Sequence, residues 1–196
     1  MLIEKVVAVI LAGGKSRRMG RDKMMLKIGD DTLLNSVVSK FKSEFSEVYL
    51  SVADSSKYPE IEIEKITDIY TNAGPLAGLH AALCLIENRT EIDGIFLVAA
   101  DLPFATPADS RIVLEESKGY DICVSIDEYG RFEPLFAYYS KNILPTVSKF
   151  LDDGNKRMID VYPQLNVKKI PSDMLGNRLF YNLNLPEDYE QLFKDK

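Results

Sequence analysis

The segment over residues 5–11, KVVAVIL, constrains the fold more than any other part of the chain. It is rich in β-branched residues and apolar on both faces, which is typical of a central strand in a parallel sheet. A glycine pair, Gly13-Gly14, follows after Ala12, and cations come soon after, including Lys15, Arg17, Arg18 and Lys23. Open α/β sheets bind ligands at the carboxyl ends of their strands, so this pattern predicts an anion-binding loop at one edge of such a sheet.

The rest of the sequence continues the alternation of strands and helices. Further strands are predicted over residues 47–52, 61–66, 94–100, 120–126, 132–139 and 167–170. Helices are predicted after Thr32, from Pro75 to Ile86, after Thr106, over residues 141–151 and 155–161, and after Pro186. We therefore predict one three-layer α/β/α domain over residues 1–196, with a Rossmann-like, mostly parallel sheet. Its first half would bind a nucleotide and its second half an acceptor.

Composition narrows the classes of function. The net charge of −6 argues against a nucleic-acid groove, which needs a basic stripe to neutralise phosphates. With a single histidine, His80, a His-based zinc site or a Ser-His triad is disfavoured, and we expect this residue, on an apolar helix, to serve packing or the helix surface and not to act as a general base. Cys84 and Cys123 lie in apolar runs and are expected to be buried thiols. The N-terminal apolar run is too short to span a membrane and lacks a signal-peptide cleavage pattern, so we expect a cytoplasmic protein without a membrane partner.

The glycine loop differs from two common phosphate-binding motifs. Its GKS at residues 14–16 matches the end of a P-loop, but Val9 stands where the first glycine should be, and GxGxxG is absent. Gly13 and Gly14 allow the backbone to approach a ligand and present its N–H groups, and the cations suffice to neutralise a triphosphate. We expect Lys23 to be solvated until a ligand binds. The alternative, a flexible basic surface loop, does not account for the position directly after a buried strand.

Asp101 ends the strand predicted over residues 94–100, at the same edge of the sheet as the glycine loop. A carboxylate there can bind Mg²⁺, which usually takes one or two carboxylates together with substrate phosphates. The alternative is a turn or helix-cap carboxylate. The neighbouring phosphate loop favours the metal role.

Several polar residues in the second half of the chain have two readings each. Glu133 is either catalytic or paired with a basic loop residue. Lys156 and Arg157 either receive an anionic acceptor or belong to a solvated helix face. Asn182 and Asn184 are either functional or ordinary turn residues before a helix, and the functional reading is favoured.

Five segments, in order, resemble the signature sequences of molybdenum cofactor guanylyltransferases. The loop resembles LAGGxSxRMGxDKxxL, which is matched here by Leu11, Ala12, Gly13, Gly14, Ser16, Arg18, Met19, Gly20, Asp22, Lys23 and Leu26. The others are GPLAG at residues 74–78, ADLPF at 100–104, EPLxAxY at 133–139 and NLNLPED at 182–188. Leu185 departs from the family, which usually has threonine there. The resemblance spans roughly residues 6–190.

The resemblance implies a nucleotidyltransferase fold and the transfer of GMP from GTP to the terminal phosphate of molybdenum-molybdopterin. The products would be the guanine dinucleotide form of the cofactor and pyrophosphate. By resemblance, Leu11, Ala12, Gly13 and Gly14 hold the base and ribose through the backbone, and Asp68 helps to bind the guanine nucleotide. Arg18 and Lys23 hold the phosphates and act in catalysis, Asp101 ligates Mg²⁺, and Asn182 and Asn184 face the acceptor or metal side.

Two other functions remain as alternatives. One is the same chemistry with CTP or a sugar phosphate, although cytidylyl relatives more often show LAAG than the Gly13-Gly14 pair. The other is a nucleotide sensor without enzymatic activity, against which Lys23, Asp101 and the two asparagines argue. Proteins that deliver molybdopterin or mature molybdoenzymes are candidate partners.

Overall fold

The computed structural model describes residues 2–13, 22–176, 179 and 181. The strands within these ranges are β1 (Val6–Leu11), β2 (Lys27–Ile28), β3 (Asp31–Thr32), β4 (Val48–Val52), β5 (Glu64–Thr67), β6 (Gly94–Ala99), β7 (Ile122–Ile126), β8 (Phe132–Ser140) and β9 (Val167–Pro171). The α-helices are α1 (Leu33–Lys42), α2 (Pro75–Ile86), α3 (Pro107–Glu116) and α4 (Leu144–Asp152). Short 3₁₀ turns occupy Lys23–Met25, Lys141–Ile143, Met158–Gln164 and Ser172–Met174.

Seven strands form one sheet in the order β5-β4-β1-β6-β8-β7-β9, while β2 pairs with β3 alone. The pairs β1–β4, β1–β6, β4–β5 and β7–β9 are parallel. Only β8 runs antiparallel to its neighbours in this sheet. The prediction of a mostly parallel sheet is therefore confirmed.

Helices cover both faces of the sheet, as the three-layer prediction requires. Ala8 and Ile10 of β1 pack with the apolar face of α1, in the same cluster as Val113 of α3. Val7 and Val9 point to the other face, where α2 and α4 pack. Because β1 is buried on both sides, both sets of its residues had to be apolar.

The helix starts agree with the predicted caps. The hydroxyl of Thr32 accepts a hydrogen bond from the backbone N–H of Asn35 at 3.2 Å, and Thr106 accepts one from Asp109 at 3.2 Å. Gly74 begins α2 with φ +66° and ψ −153°, a conformation that is essentially restricted to glycine.

Two predicted elements differ from the structure, and a third lies outside it. The strand predicted over residues 61–66 begins later, at Glu64, because a turn bonded from Ile61 N–H to Tyr58 C=O occupies its start. The helix predicted over residues 155–161 is wrong. A 3₁₀ segment starts at Met158 instead, and Pro163 inside it lacks the N–H that an α-helix needs. The predicted helix after Pro186 lies outside the described residues.

The strand order creates a switch point beside β1. From β1 the chain goes to β4 on one side and later returns to β6 on the other. The pairing continues past the strand ends, with Ala12 N–H bonded to Ser51 C=O and Ala100 N–H to Leu11 C=O, each at 3.0 Å. Ligands of open α/β sheets bind at such a crevice.

Across the described ranges, the structure contains no helix with the length and apolar character to cross a bilayer.

Candidate active site

A cavity of about 480 Å³ opens at the carboxyl ends of β1, β4 and β6. Its lining includes five residues singled out from the sequence, namely Leu11, Ala12, Gly13, Asp68 and Asp101. The fold thus brings together residues that lie up to 90 positions apart in the chain.

Lys23 meets Asp101 at the mouth of this cavity. The Lys23 ammonium donates to the Asp101 carboxylate with an Nζ–Oδ2 distance of 2.5 Å, and the two side chains are only 12% and 20% exposed. The expectation that Lys23 is solvated without a ligand is therefore wrong. Asp101 follows the buried strand β6, and Lys23 lies in a short 3₁₀ turn after the glycine loop. The ion pair therefore connects the end of this loop to the edge of the sheet.

Asp68 follows β5 and contributes a half-buried carboxylate to the cavity. Burial raises the pKa of this carboxyl above its usual range. Within the described part of the chain, Asp68 has no hydrogen-bond or ion-pair partner. A desolvated carboxylate without a partner gains free energy when a ligand brings N–H donors to it.

Two glycines shape the cavity in different ways. At Gly13, which lines the cavity, no described atom lies within 4 Å of where a Cβ would stand. At Gly78, a Cβ would lie 2.7 Å from Leu11 Cδ2 and 2.9 Å from Ser51 Oγ. The glycine at 78 therefore allows α2 to approach β1 and β4 closely, which forms the cavity floor.

Lys156 and Arg157, which are neighbours in sequence, make different contacts in the structure. Lys156 donates to the backbone carbonyl of Asn72, a cavity-lining residue, with an Nζ–O distance of 3.1 Å. Arg157 is exposed and faces Asp160 at 3.8 Å. A second link, from Tyr70 Oη to Asp152 Oδ1 at 2.6 Å, also joins the two loops. Lys156 thus lies near the cavity rim, and Arg157 pairs along its own segment.

Glu133 lies at a bulge in β8, where the register against β7 shifts between Val124 and Ser125. Its side chain is buried, and Oε1 accepts a hydrogen bond from the backbone N–H of Leu135 at 3.1 Å. Leu135 lines the cavity. Glu133 therefore supports the backbone of a cavity residue, which is a role that the sequence did not indicate.

Some predicted site residues, namely Gly14, Arg18, Asn182 and Asn184, lie outside the described residues. The described residue before Asn182 is Tyr181, whose ring packs edge-on against Phe104 with centroids 5.5 Å apart. Phe104 belongs to the segment that begins at Asp101. The end of the described chain therefore returns to the strand edge that carries Asp101.

Other cavity residues were missed by sequence reasoning, including Met24, Ser51, Lys57 and Asn72. Ser51 lies at the end of a parallel strand and could have been found from that position alone. Lys57 and Asn72 belong to loops whose paths depend on tertiary contacts.

The single histidine and the two cysteines lie apart from the cavity lining. His80 is buried between α2 and α4, where its Nε2 lies 3.1 Å from Ser148 Oγ, and burial lowers its pKa. Cys123 is buried as expected, but Cys84 is only half-buried, and its Sγ lies 3.7 Å from His80 Nδ1.

A larger open cavity of about 730 Å³ lies at the opposite ends of the central strands. Its lining includes Arg111, which pairs with Glu44, and Lys141, which donates to the Arg89 carbonyl. Among the described residues, its lining includes none of the predicted site residues, so the smaller cavity is the better candidate for an active site.

Comparison with known proteins shows which family the whole chain resembles. Residues 8–167 match the model of a family described as the MobA-like NTP transferase domain. A probable molybdenum cofactor guanylyltransferase of Pelotomaculum thermopropionicum is 33% identical over 94% of this chain and 90% of its own length. One from Carboxydothermus hydrogenoformans is 33% identical over 98% and 97%. The solved structure of molybdopterin-guanine dinucleotide biosynthesis protein A from Archaeoglobus fulgidus superposes with a TM-score of 0.83 at 23% identity, covering 97% of this chain and 98% of that one.

Proposed function

The chain belongs to the family of MobA-like NTP transferases, and we propose that it transfers GMP from GTP to the terminal phosphate of molybdenum-molybdopterin. The acceptor phosphate oxygen attacks the α-phosphorus of GTP, and pyrophosphate leaves. A phosphate monoester is already a competent nucleophile near neutral pH, so the reaction needs no strong general base. The observation that carries the proposal is the meeting of Asp68, Lys23 and Asp101 around one cavity at the switch point of the sheet.

In this proposal the guanine base lies toward Asp68 and the phosphates toward Lys23. Guanine offers donors at N1 and at its exocyclic amino group, which suit a carboxylate that has no described partner. The backbone of Leu11, Ala12 and Gly13 lines the same cavity and is free of bulky side chains at Gly13. Arg18 and Gly14, outside the described residues, stay assigned to the phosphates and to the base and ribose by resemblance.

Asp101 is the residue that we propose to hold Mg²⁺. It provides a hard carboxylate oxygen at the cavity mouth, and such an ion is usually bound by one or two carboxylates together with substrate phosphates. Mg²⁺ bound there would supply charge neutralisation for the transferring phosphates. Lys23, which is already beside Asp101, would share that work through a charge-assisted contact.

The acceptor is proposed to enter from the side of Lys156. Its ammonium lies on the Asn72 carbonyl at the rim, which brings a positive charge near the cavity without filling it. Arg157, paired with Asp160, is the weaker candidate because it would first have to leave that partner. Asn182 and Asn184 remain assigned to the acceptor or metal side, and the packing of Tyr181 on Phe104 supports this.

An assay of pyrophosphate release tests the proposal directly. The purified chain, molybdenum-molybdopterin and Mg²⁺ are combined with GTP or CTP, and the dinucleotide product is identified. We expect turnover with GTP and no need for a second protein. Equal turnover with CTP would reject the guanylyl assignment, and nucleotide binding without turnover would favour the sensor alternative.

Asp101→Asn tests the metal role. The substitution keeps the size of the side chain but removes the charge that a Mg²⁺ ligand needs, so we expect a folded protein with little activity. Activity should recover in part at high Mg²⁺ because a weakened site fills by mass action. If Asp101 were only a turn or cap residue, Asn would serve nearly as well, since the two cap comparably. Near-normal turnover at low Mg²⁺ would therefore remove the metal role.

A further inference from the structure

We propose that Tyr58 is a positioning residue for Lys23 and that it acts through Asp22. The proposal rests on the proposed function only for what Lys23 does once it is in place. Tyr58 follows β4, whereas Asp22 and Lys23 lie between β1 and β2, so the link joins two loops that each contribute a neighbouring residue, Lys57 or Met24, to the cavity lining.

The link consists of two hydrogen bonds through one carboxylate. The Tyr58 hydroxyl donates to Asp22 Oδ2 at 3.0 Å. The other oxygen, Asp22 Oδ1, accepts the backbone N–H of Met24 at 3.1 Å and so caps the 3₁₀ turn Lys23–Met25. That turn directs the Lys23 ammonium to Asp101. Fixing Asp22 therefore fixes the first residue of the turn and, with it, the backbone of Lys23.

The backbone of Tyr58 has an unfavourable conformation, so the surrounding structure must stabilise it. Its φ of +54° is in the left-handed region, which a bulky residue rarely adopts. Such conformations persist where the surroundings determine them, and they cluster at functional sites. The ring is 7% exposed and packs in the same apolar cluster as Met24 and Ile61. Packing thus anchors the ring while the hydroxyl reaches out to Asp22.

The hydroxyl remains a donor at any physiological pH. Burial and the hydrogen bond to the Asp22 carboxylate raise the pKa of Tyr58 further above its ordinary value. The bond to Asp22 therefore does not titrate away, and its effect on Lys23 should be constant across the working pH range. An ordinary core tyrosine would need its ring but not its hydroxyl, so removal of the hydroxyl alone separates the two roles.

The test uses Tyr58→Phe with Tyr49→Phe as the matched control. Tyr49, on β4, also donates to a carboxylate, Glu47 Oε2 at 2.8 Å, but that carboxylate pairs with Arg89 and does not cap the Lys23–Met25 turn. The first measurement is hydrogen exchange at the Met24 amide, which needs no nucleotide. We expect Tyr58→Phe to speed this exchange about 3- to 10-fold, the range for loss of one hydrogen bond, and the control to leave it unchanged. Unchanged Met24 exchange in Tyr58→Phe would overturn the proposal.

The second measurement is the affinity for GTP with Mg²⁺ in the wild-type and Lys23→Ala backgrounds. We expect Tyr58→Phe to weaken binding about 3- to 10-fold when Lys23 is present and to have no further effect when Lys23 is absent. An equal loss in both backgrounds would mean that Tyr58 acts on the fold in general. If Tyr58→Phe does not fold, Asp22→Ala removes the carboxylate that both hydrogen bonds share, and it is judged by the GTP affinities in the same two backgrounds. Absence of GTP binding by the wild type would instead count against the proposed function, and Met24 exchange would still decide whether Tyr58 holds the turn.

Discussion

At the scale of single residues, the pairing of Lys23 with Asp101 changes how the site without ligands is understood. Sequence reasoning identified both residues but treated them separately, because nothing in a linear sequence indicates that a loop cation rests on a strand-end carboxylate 78 positions away. The contact means that the ammonium occupies one of the oxygens proposed to bind Mg²⁺. Lys23 and a metal ion should therefore compete for Asp101 until triphosphate draws the lysine away.

This competition predicts opposite effects of Lys23→Ala on two ligands. Loss of a charge-assisted phosphate contact should weaken GTP·Mg²⁺ binding, at a cost of roughly 1.5–3 kcal/mol. Mn²⁺ alone, followed by its spin-resonance signal, should bind more tightly than to wild type because Asp101 no longer has a cation beside it. Lys168→Ala, which breaks the remote pair with Glu116, should change neither affinity. Weaker binding of Mn²⁺ alone would contradict the competition.

Asp68 illustrates a residue that costs stability in the free protein. Burial raises its pKa, so the folded state binds more protons than the unfolded state between the unfolded and folded pKa values. Stability must then fall as pH rises through that window, and the full cost is present at neutral pH. We expect Asp68→Asn to raise the urea midpoint at pH 7 and to lose this advantage below about pH 3.5, where the aspartate is protonated in both states. The same variant should bind GTP more weakly, and a lower midpoint at pH 7 would show that Asp68 has a structural partner.

At the scale of elements, the sequence predicted what depends on local chemistry. The buried strands β1 and β6, the capped starts of α1 and α3 and the Gly74-Pro75 entry to α2 were all found, because caps, β-branched runs and glycine turns act over a few residues. The 3₁₀ turn Lys23–Met25 and the late start of β5 were not found. Both depend on Tyr58, whose hydroxyl and carbonyl bind segments that are distant or irregular, and periodicity cannot reveal such contacts.

The approach of α2 to the sheet predicts contrasting effects of two Gly→Ala changes. Gly78→Ala would force a methyl group against Leu11 and Ser51, so we expect a loss of about 1–3 kcal/mol in the free energy of unfolding, with weaker GTP binding as α2 moves. Gly13→Ala serves as the control inside the same cavity. No described atom obstructs its methyl group, so it should lower GTP affinity while leaving the free energy of unfolding within about 0.5 kcal/mol of wild type. Urea unfolding and nucleotide titration measure the two effects, and equal stability losses would mean that α2 adjusts freely.

At the scale of the whole molecule, the position of the site follows from the topology of the sheet. A parallel strand order that reverses beside β1 leaves a crevice at the carboxyl ends, and the glycine loop, Asp68 and Asp101 all follow strands that end there. This is why the sequence could predict that these residues lie together at one edge of the sheet. The side proposed for the acceptor lies where Lys156 bonds to Asn72 and Tyr70 to Asp152, and no sequence pattern specifies those two contacts. An acidic chain with net charge −6 can still hold a triphosphate because the local cations, and not the total charge, decide binding.

Selective nucleotide binding should appear in the stability of the entire chain. A ligand that binds only the folded state stabilises it by mass action, by about 2.7 kcal/mol when its concentration is a hundred times its Kd. Thermal unfolding with GTP, CTP, ATP or UTP in the presence of Mg²⁺ should therefore give the largest rise in Tm with GTP. The preference should shrink in Asp68→Asn, since the carboxylate is proposed to read the guanine donors. Lys23→Ala should reduce stabilisation by all four nucleotides, because Lys23 is proposed to bind the phosphates that they share. Equal rises in Tm with GTP and CTP in the wild type would mean that the cavity binds nucleotides without selecting guanine. If Asp68→Asn keeps the full preference for GTP, other residues of the cavity lining recognise the base, and Asp68 does not.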